Sequence, residues 1–337
     1  MQKRKLGNSG MEVSAIGMGC MGFSHGYGAV PDEAYSIDAI RKAYDFGCTF
    51  FDTAEGYGTE MFYPGHNEQL VGNAIEPFRK KVILATKFHL RAEEAENSEM
   101  LYDSLRRHLL ASMKNLKTDY VDLYYLHRVS ELISVEEIAE VISRLIEEGL
   151  IRGWGLSQVS VSILAKAHSV TPVSAVQNLY SMMERDCERE IFPYCQENNI
   201  GVVPFSPIAS GFLSGKVTAQ TSFEGDDVRK FVPQLSKENI AANQPILDIL
   251  AKFAEQKNAT KAQISLAWML HKYPHVVPIP GSKNQERIIE NLGAWHVDLT
   301  ADEFESLEAA LDAHTVHGHR GHVESEQTSF GNKWKKK

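Results

Sequence analysis

Four titratable side chains, Asp52, Tyr57, Lys87 and His127, have the types and spacing to hand a proton to a bound molecule. Asp52 closes the apolar run 49–52, and Tyr57 follows in the stretch Thr53-Ala54-Glu55-Gly56-Tyr57-Gly58. Lys87 follows the run 82–86, and His127 follows 121–126. Taken singly, each has an ordinary explanation: a capping aspartate, a surface tyrosine, a snorkelling lysine, a satisfied histidine. Placed at the ends of three neighbouring parallel strands, which lie about 5 Å apart, they meet in one pocket. A free phenol has a pKa of about 10, too weak an acid for efficient proton delivery at neutral pH, and an ammonium about 4 Å away contributes up to ~4 kcal/mol at an effective dielectric near 20. Lys87 is therefore expected to acidify Tyr57, by up to about three pKa units before desolvation opposes it. Asp52 keeps Lys87 charged, and His127 hydrogen-bonds and orients an acceptor oxygen with a donor nitrogen and no net charge.

The elements that must hold these groups alternate along the chain. Short β-rich apolar runs fall at 14–18, 49–52, 82–86, 121–126, 151–156, 173–177, 201–204 and 276–279. Stretches of helical period follow at 32–46, 66–75, 98–116, 135–148, 160–167, 187–197, 261–272 and 284–292. In the third of these, Leu101, Leu105, Leu109 and Met113 recur every four residues, the stripe of a helix laid on a sheet. Val82-Ile83-Leu84-Ala85 and Val202-Val203 are continuously apolar, as strands buried on both faces and paired in parallel must be. Eight such units without a dividing linker predict a single-domain α/β fold, a closed (β/α)8 TIM barrel, in preference to an open doubly wound sheet.

An N-terminal β-hairpin is expected over 3–13, turning at Gly7 to Gly10. The long polar loop from Ser206 leads into a helix at 241–257, and an extra C-terminal helix is expected at 301–313. Residues 1–315 are read as the barrel domain and 316–337 as a polar, frayed tail. Gly17-Met18-Gly19-Cys20-Met21-Gly22 matches the GxGxxG spacing of a dinucleotide fold. A Rossmann helix would begin inside that motif, but Phe23-Ser24-His25-Gly26-Tyr27-Gly28 and Pro31 intervene before any helical period. The glycines instead let a ligand approach the backbone, which places Gly19, Cys20 and Met21 in a cofactor site.

Phe51-Asp52-Thr53-Ala54 with Tyr57-Gly58, then Ala85-Thr86-Lys87, then Asp122-Leu123-Tyr124-Tyr125-Leu126-His127 resemble, in this order, the aldo-keto reductases, and the similarity extends over nearly the whole chain. The resemblance implies that Asp52, Tyr57, Lys87 and His127 are a catalytic tetrad reducing aldehyde or ketone carbonyls to alcohols, with Tyr57 as general acid. None of the four can donate a hydride, so it also implies a nicotinamide dinucleotide across the barrel mouth. Ser157 and Gln177, with Asp52, correspond to positions around the carboxamide, and Phe205 to a ring stacked on the nicotinamide. Residue 158 is Gln where many relatives carry Asn, and it is left out of the set. The resemblance assigns pyrophosphate contacts to Ser206, Pro207, Ser210, Gly211, Leu213 and Ser214, and the adenine edge to Glu290 and Asn291.

Gly281, Ser282, Lys283 and Arg287 open a helix with hydroxyl, ammonium and guanidinium groups, an anion site. Lys283 and Arg287 are four residues apart and reach one phosphate, whereas a bare ribose hydroxyl calls for a carboxylate there, so the expected cofactor is NADPH.

The 337 residues are 43% hydrophobic and 23% charged, which excludes disordered and fibrous classes. With 35 basic against 44 acidic residues the net charge is −9, and neither nucleic acid nor an anionic membrane is expected as a partner. No apolar run reaches the ~18 residues of a membrane span, and Met1 to Lys5 lead into Gly7-Asn8-Ser9-Gly10 rather than a signal sequence, so a cytoplasmic location is expected. Cys20, Cys48, Cys187 and Cys195 form neither a disulfide framework nor a CxxC pair. His317, His319 and His322 spell HxHxxH near His314, but in a polar tail, and no metal is expected there. Two other functions fit part of the pattern. Some members of the resembled family are cofactor-holding regulatory subunits of ion channels, and Lys87 could serve a barrel aldolase as a Schiff-base lysine, which would require its neutral form. The partner expected is a small carbonyl compound, and the sequence fixes neither its identity nor an oligomeric state.

Overall fold

The computed structural model of the chain describes residues 1–130 and 133–321. Strands β1 (Lys3–Lys5) and β2 (Glu12–Ser14) form the expected antiparallel hairpin, with Lys3 opposite Ser14. Gly7 turns it at φ +56°, where a Cβ would meet Asn199 O at 2.5 Å, so this turn accepts glycine alone. Leu6, Met11 and Val13 of the hairpin pack with Phe50, Leu123, Tyr125 and Val277 in one buried cluster, closing the bottom of the barrel.

Seven parallel strands follow in chain order: β3 (Met18–Gly19), β4 (Phe50–Asp52), β5 (Ile83–Phe88), β6 (Val121–Leu126), β7 (Ile151–Ser157), β8 (Ala175–Gln177) and β9 (Gly201–Val202). The extended segment 276–281 supplies the eighth side. On one flank Val277 N–H donates to Val202 O at 2.8 Å and Ile279 N–H to Pro204 O at 3.1 Å. On the other, Gly17 N–H donates to Pro278 O at 2.9 Å and Gly19 bridges Gly281. The sheet thus closes on itself as a (β/α)8 barrel, and the open alternative is excluded.

The helices outside the barrel are α1 (Glu33–Asp45), α2 (His66–Ile75), α3 (Ser98–Asn115), α4 (Val135–Glu147), α5 (Val161–Val170), α6 (Ile191–Glu197), α7 (Lys237–Ala242), α8 (Gln244–Lys257), α9 (Lys261–Lys272), α10 (Gln285–Leu292) and α11 (Ala301–Asp312). Their starts are written locally: Asp32, Asn97, Ser134 and Ser160 each accept a hydrogen bond from the third residue onward, and Thr260 with Gln263 and Thr300 with Glu303 form full capping boxes. Two boundaries differ from expectation for one reason. Proline lacks the N–H that a helix interior needs, so Pro245 starts α8 afresh and splits the predicted 241–257 helix, while Pro193 sits in the first turn of an α6 that begins only at Ile191.

The tail expected to fray beyond residue 315 does not do so at once. His317 N–H donates to Asn243 Oδ1 at 2.8 Å, Asn243 Nδ2 returns a bond to His317 O at 2.9 Å, and Gln234 N–H reaches His319 O at 3.2 Å. Backbone groups bonded in this way hold 317–321 on the barrel, so the polar composition of the tail was a poor guide there. His322, the last residue of HxHxxH, lies outside the described residues. Among the described residues there is no helix long and apolar enough to cross a membrane, and no group of three His, Cys, Asp or Glu arranged to hold a metal.

Strand alternation aims the chemistry. Phe50, Ala85, Leu123 and Tyr125 point into the barrel, while Phe51, Leu84, Tyr124 and Leu126 belong to the layer between sheet and helices. Asp52, Lys87 and His127 share the parity of the inward set, two residues beyond Phe50, Ala85 and Tyr125, and so rise from the barrel interior at its carboxyl end.

Candidate active site

The four predicted groups meet. Lys87 is fully buried, and its ammonium pairs with Asp52 Oδ1, donates to Thr53 O at 2.8 Å and lies 3.2 Å from the Tyr57 hydroxyl. An ammonium has three protons and no acceptor, so Tyr57 Oη accepts here and its own proton is left for another partner. Gln177 Nε2 donates to the second Asp52 oxygen at 2.8 Å, fixing the carboxylate from the opposite side. The Tyr57 and His127 rings meet edge to face at 5.6 Å, and His127 Nδ1 is buried without a hydrogen-bond partner among the described residues.

The electrostatics follow from burial and these neighbours. Burial works against the charge of Lys87, but Asp52, with Tyr57 behind it, outweighs that effect and holds the ammonium above its ordinary range. Burial also raises Tyr57, and the downward pull of Lys87 and Arg128 does not cancel it. Lys87 thus acts on the phenol in the expected, acidifying direction, against a larger opposing effect of desolvation. His127 lies well below the usual histidine range because of burial, reinforced by Arg128 and Lys87. It is a neutral imidazole, as its expected role requires.

Around this centre opens a cleft of about 650 Å³ at the carboxyl end of the barrel. Of the residues expected to hold a cofactor, Gly19, Met21, Asp52, Ser157, Gln177, Phe205, Ser206, Pro207, Ser210, Gly211, Ser214, Gly281, Ser282, Lys283, Arg287, Glu290 and Asn291 line it. Cys20 and Leu213 do not: both side chains are wholly buried in the layer between sheet and helices. The loop after β9 is folded tightly, with left-handed backbone at Ser206 (φ +51°), Ala209 (+49°), Ser210 (+55°) and Gly211 (+95°), and the Ser210 hydroxyl is buried without a partner among the described residues. At the far end, Asn284 caps α10 by accepting from Arg287 N–H at 2.9 Å. Lys283 Nζ donates to Tyr27 O at 2.6 Å and to Ala29 O. The rim loops are joined as well, since Gly26 N–H donates to Asp226 Oδ2 at 2.7 Å and Val228 N–H to Gly26 O at 3.1 Å.

Glu55 lies near the mouth as expected, but His89 in the cleft and Asn67 behind it were not foreseen. His89, two residues past Lys87, lies with its ring tilted against that of His127, centroids 4.3 Å apart, and its backbone N–H donates to Glu55 Oε1 at 2.7 Å. Glu55 in turn binds His108 Nδ1 at 2.7 Å, and His108 Nε2 lies 3.2 Å from Glu94, tying α3 to the loop that carries Tyr57. Asn67 is buried behind the site, accepting from Thr53 Oγ1 at 2.6 Å and donating to Cys20 O at 3.0 Å and Ser24 Oγ at 2.7 Å. His89, two residues beyond Lys87, follows from strand alternation, but nothing local marks Asn67 or Arg320, whose positions depend on long-range packing. Gln158, left out of the expected set, borders the cleft, but its carboxamide oxygen is taken by Leu179 N–H at 3.0 Å.

Comparison with known proteins agrees with this geometry. The chain is 35% identical over 323 residues, 95% of its own length and 92% of the relative's, to a protein named probable aldo-keto reductase 1 from Glycine max. An aldo/keto reductase from Klebsiella pneumoniae, solved in complex with NADP and acetate, superposes with a TM-score of 0.72 over 96% of this chain and all of that one, at 26% identity. A glycerol dehydrogenase from Gluconobacter oxydans shares the fold, with a TM-score of 0.81 over 95% of this chain and 98% of that one, at 24% identity. The aldo/keto reductase family model matches residues 15–312, and the chain accordingly belongs to the aldo/keto reductase family of oxidoreductases.

Proposed function

We propose that the protein reduces aldehyde or ketone carbonyls to alcohols with NADPH, and that Tyr57 is the general acid. The observation that carries this reading is the bond between Lys87 and Tyr57, which makes the phenol oxygen an acceptor and leaves its proton facing the cleft. NADPH, when bound, supplies the hydride that no side chain here can give. The residues present fit it: the unpartnered Ser210 hydroxyl and the left-handed turns of its loop suit a pyrophosphate, and Ser282, Lys283 and Arg287 at the start of α10 suit a phosphate. Neither Lys283 nor Arg287 has a carboxylate partner among the described residues. The NADP and NADPH held by the Klebsiella pneumoniae relatives support the same choice.

Within the cleft His127, neutral, donates a hydrogen bond to the carbonyl oxygen and turns it toward Tyr57. As the carbonyl carbon gains a hydride, its oxygen gains the Tyr57 proton, and the alcohol leaves. The resulting phenolate is stabilised by the Lys87 ammonium 3.2 Å away, which Asp52 keeps charged. That same pair opposes a Schiff-base role, because amine attack needs a neutral lysine. Tyr57→Phe should lower carbonyl reduction about 10²- to 10⁴-fold while NADPH still binds, as read by cofactor fluorescence. Undiminished turnover in that variant would refute the role.

A further inference from the structure

Two guanidinium groups stand at the end of the cleft where Tyr57 and His127 lie, and neither has a carboxylate partner among the described residues. Arg128 follows His127 at the top of β6, and its Nη1 donates to His127 O at 2.5 Å and Ser157 Oγ at 3.0 Å. Arg320 belongs to the segment held down beyond α11, where its backbone N–H donates to Glu184 Oε1 at 2.5 Å. Its guanidinium carbon lies 5.9 Å from the Phe205 ring centroid, and its Nε is buried with no hydrogen-bond partner among the described residues.

Other sheltered arginines have their donors taken up within the protein, and Arg4 gives its donors to Tyr273 O, Val276 O and Leu270 O. Arg79 pairs with Asp122 at 2.8 Å, Arg185 with Glu188 at 3.0 Å and Glu308 at 3.1 Å, and Arg229 with Asp227 at 2.6 Å. Among the described residues no carboxylate pairs with the guanidinium of Arg128 or of Arg320. Burial, with Arg320 adding to it, works against the charge of Arg128, a cost that a ligand bringing the counter-charge would offset. The cofactor phosphates have their own places under the reading above, in the loop after β9 and at the start of α10. Arg128 instead bonds Ser157 and Arg320 faces Phe205, in the cleft that Tyr57 and His127 also line.

We propose that the carbonyl substrate carries an oxyanion, a carboxylate or a phosphate ester, held between Arg128 and Arg320. This rests on the reductase reading of Tyr57. Planar forks of donors suit either oxyanion, and the acidic tether orients the carbonyl toward Tyr57 and His127.

The test uses the full chain with NADPH and matched pairs of substrates: 4-carboxybenzaldehyde against methyl 4-formylbenzoate, 4-oxobutanoate against its methyl ester, and glyceraldehyde 3-phosphate against glyceraldehyde. The charged member of at least one pair should be favoured about 10- to 100-fold in kcat/KM, and the pair that shows it tells carboxylate from phosphate. Arg128→Gln and Arg320→Gln should collapse that ratio toward one, mainly through KM, and Arg320→Lys should restore part of it. Calorimetry on the NADPH-loaded protein gives a readout apart from turnover: benzoate or inorganic phosphate should bind, and more weakly to the two Gln variants. If no carbonyl compound is reduced, the reductase reading fails. If neutral esters are reduced as well as the acids, that reading stands and the anion site is refuted.

Discussion

Replacing Asp52 with Asn keeps the shape of the site and removes the charge that pairs with Lys87. In the native protein the folded pKa of Lys87 lies above its unfolded value, so the pair's contribution is complete below about pH 10 and fades only as pH rises through the folded value. A unit charge about 3 Å from another is worth about 5 kcal/mol at an effective dielectric of 20, and stranding one partner of a buried pair costs about 3–5 kcal/mol. In Asp52→Asn burial acts on Lys87 alone, and the sign reverses. The folded pKa drops below the unfolded one, the unfolded chain binds more protons, and stability climbs with pH between the two values. Urea unfolding should therefore show a loss of about 3–5 kcal/mol at pH 6 that shrinks markedly by pH 9.5. Carbonyl reduction by the variant should fall as pH rises and the lysine neutralises, while the native protein shows no such limb below the folded Lys87 pKa. An equal loss of stability at both pH values, or a variant within about 1 kcal/mol of native at pH 6, would refute the reasoning.

Other perturbations test separate parts of the molecule. Gly155→Ala puts a Cβ 2.4 Å from both Ala175 O and Tyr125 Cε1 inside the barrel, and should cost about 3 kcal/mol in a denaturant titration; a loss below about 1 kcal/mol would mean the interior yields easily. His108 is raised by its bond to Glu55, so its contribution is whole below about pH 6.5 and disappears as pH rises through the folded value. His108→Asn should accordingly lose about 1 kcal/mol at pH 6 and less at pH 8.5, and the opposite trend would disprove the pairing. Lys283→Ala should raise the KM for NADPH about 10- to 100-fold and that for NADH by less than about 3-fold, and equal effects on both would remove the phosphate from this position.

The fold was legible wherever neighbours in sequence are neighbours in space. The runs 82–86 and 121–126, the period of α2 and α9, and cap residues such as Thr260 and Thr300 are local signals, and they mark elements the structure contains. The tetrad was legible because strand ends in a barrel converge whatever their separation along the chain. What composition concealed was long-range packing. Tail residues 317–321 look like solvated polar chain, yet Asn243 and Glu184 bind their backbone and deliver Arg320 to the cleft. At Tyr57 the ammonium beside the phenol could be inferred from type and spacing, but the extent of burial that opposes it could not.

Lys283 bears on how a phosphate would be received. Two of its three N–H bonds already point at Tyr27 O and Ala29 O, so the side chain is locked before any anion arrives and one proton remains to be offered. A free lysine gives up rotational freedom when it clamps a ligand, whereas this one has given it up during folding. Capture here is thereby tilted toward a heat-driven event with little ordering left to do, and the loop holding those carbonyls becomes a partner in selectivity without touching the ligand.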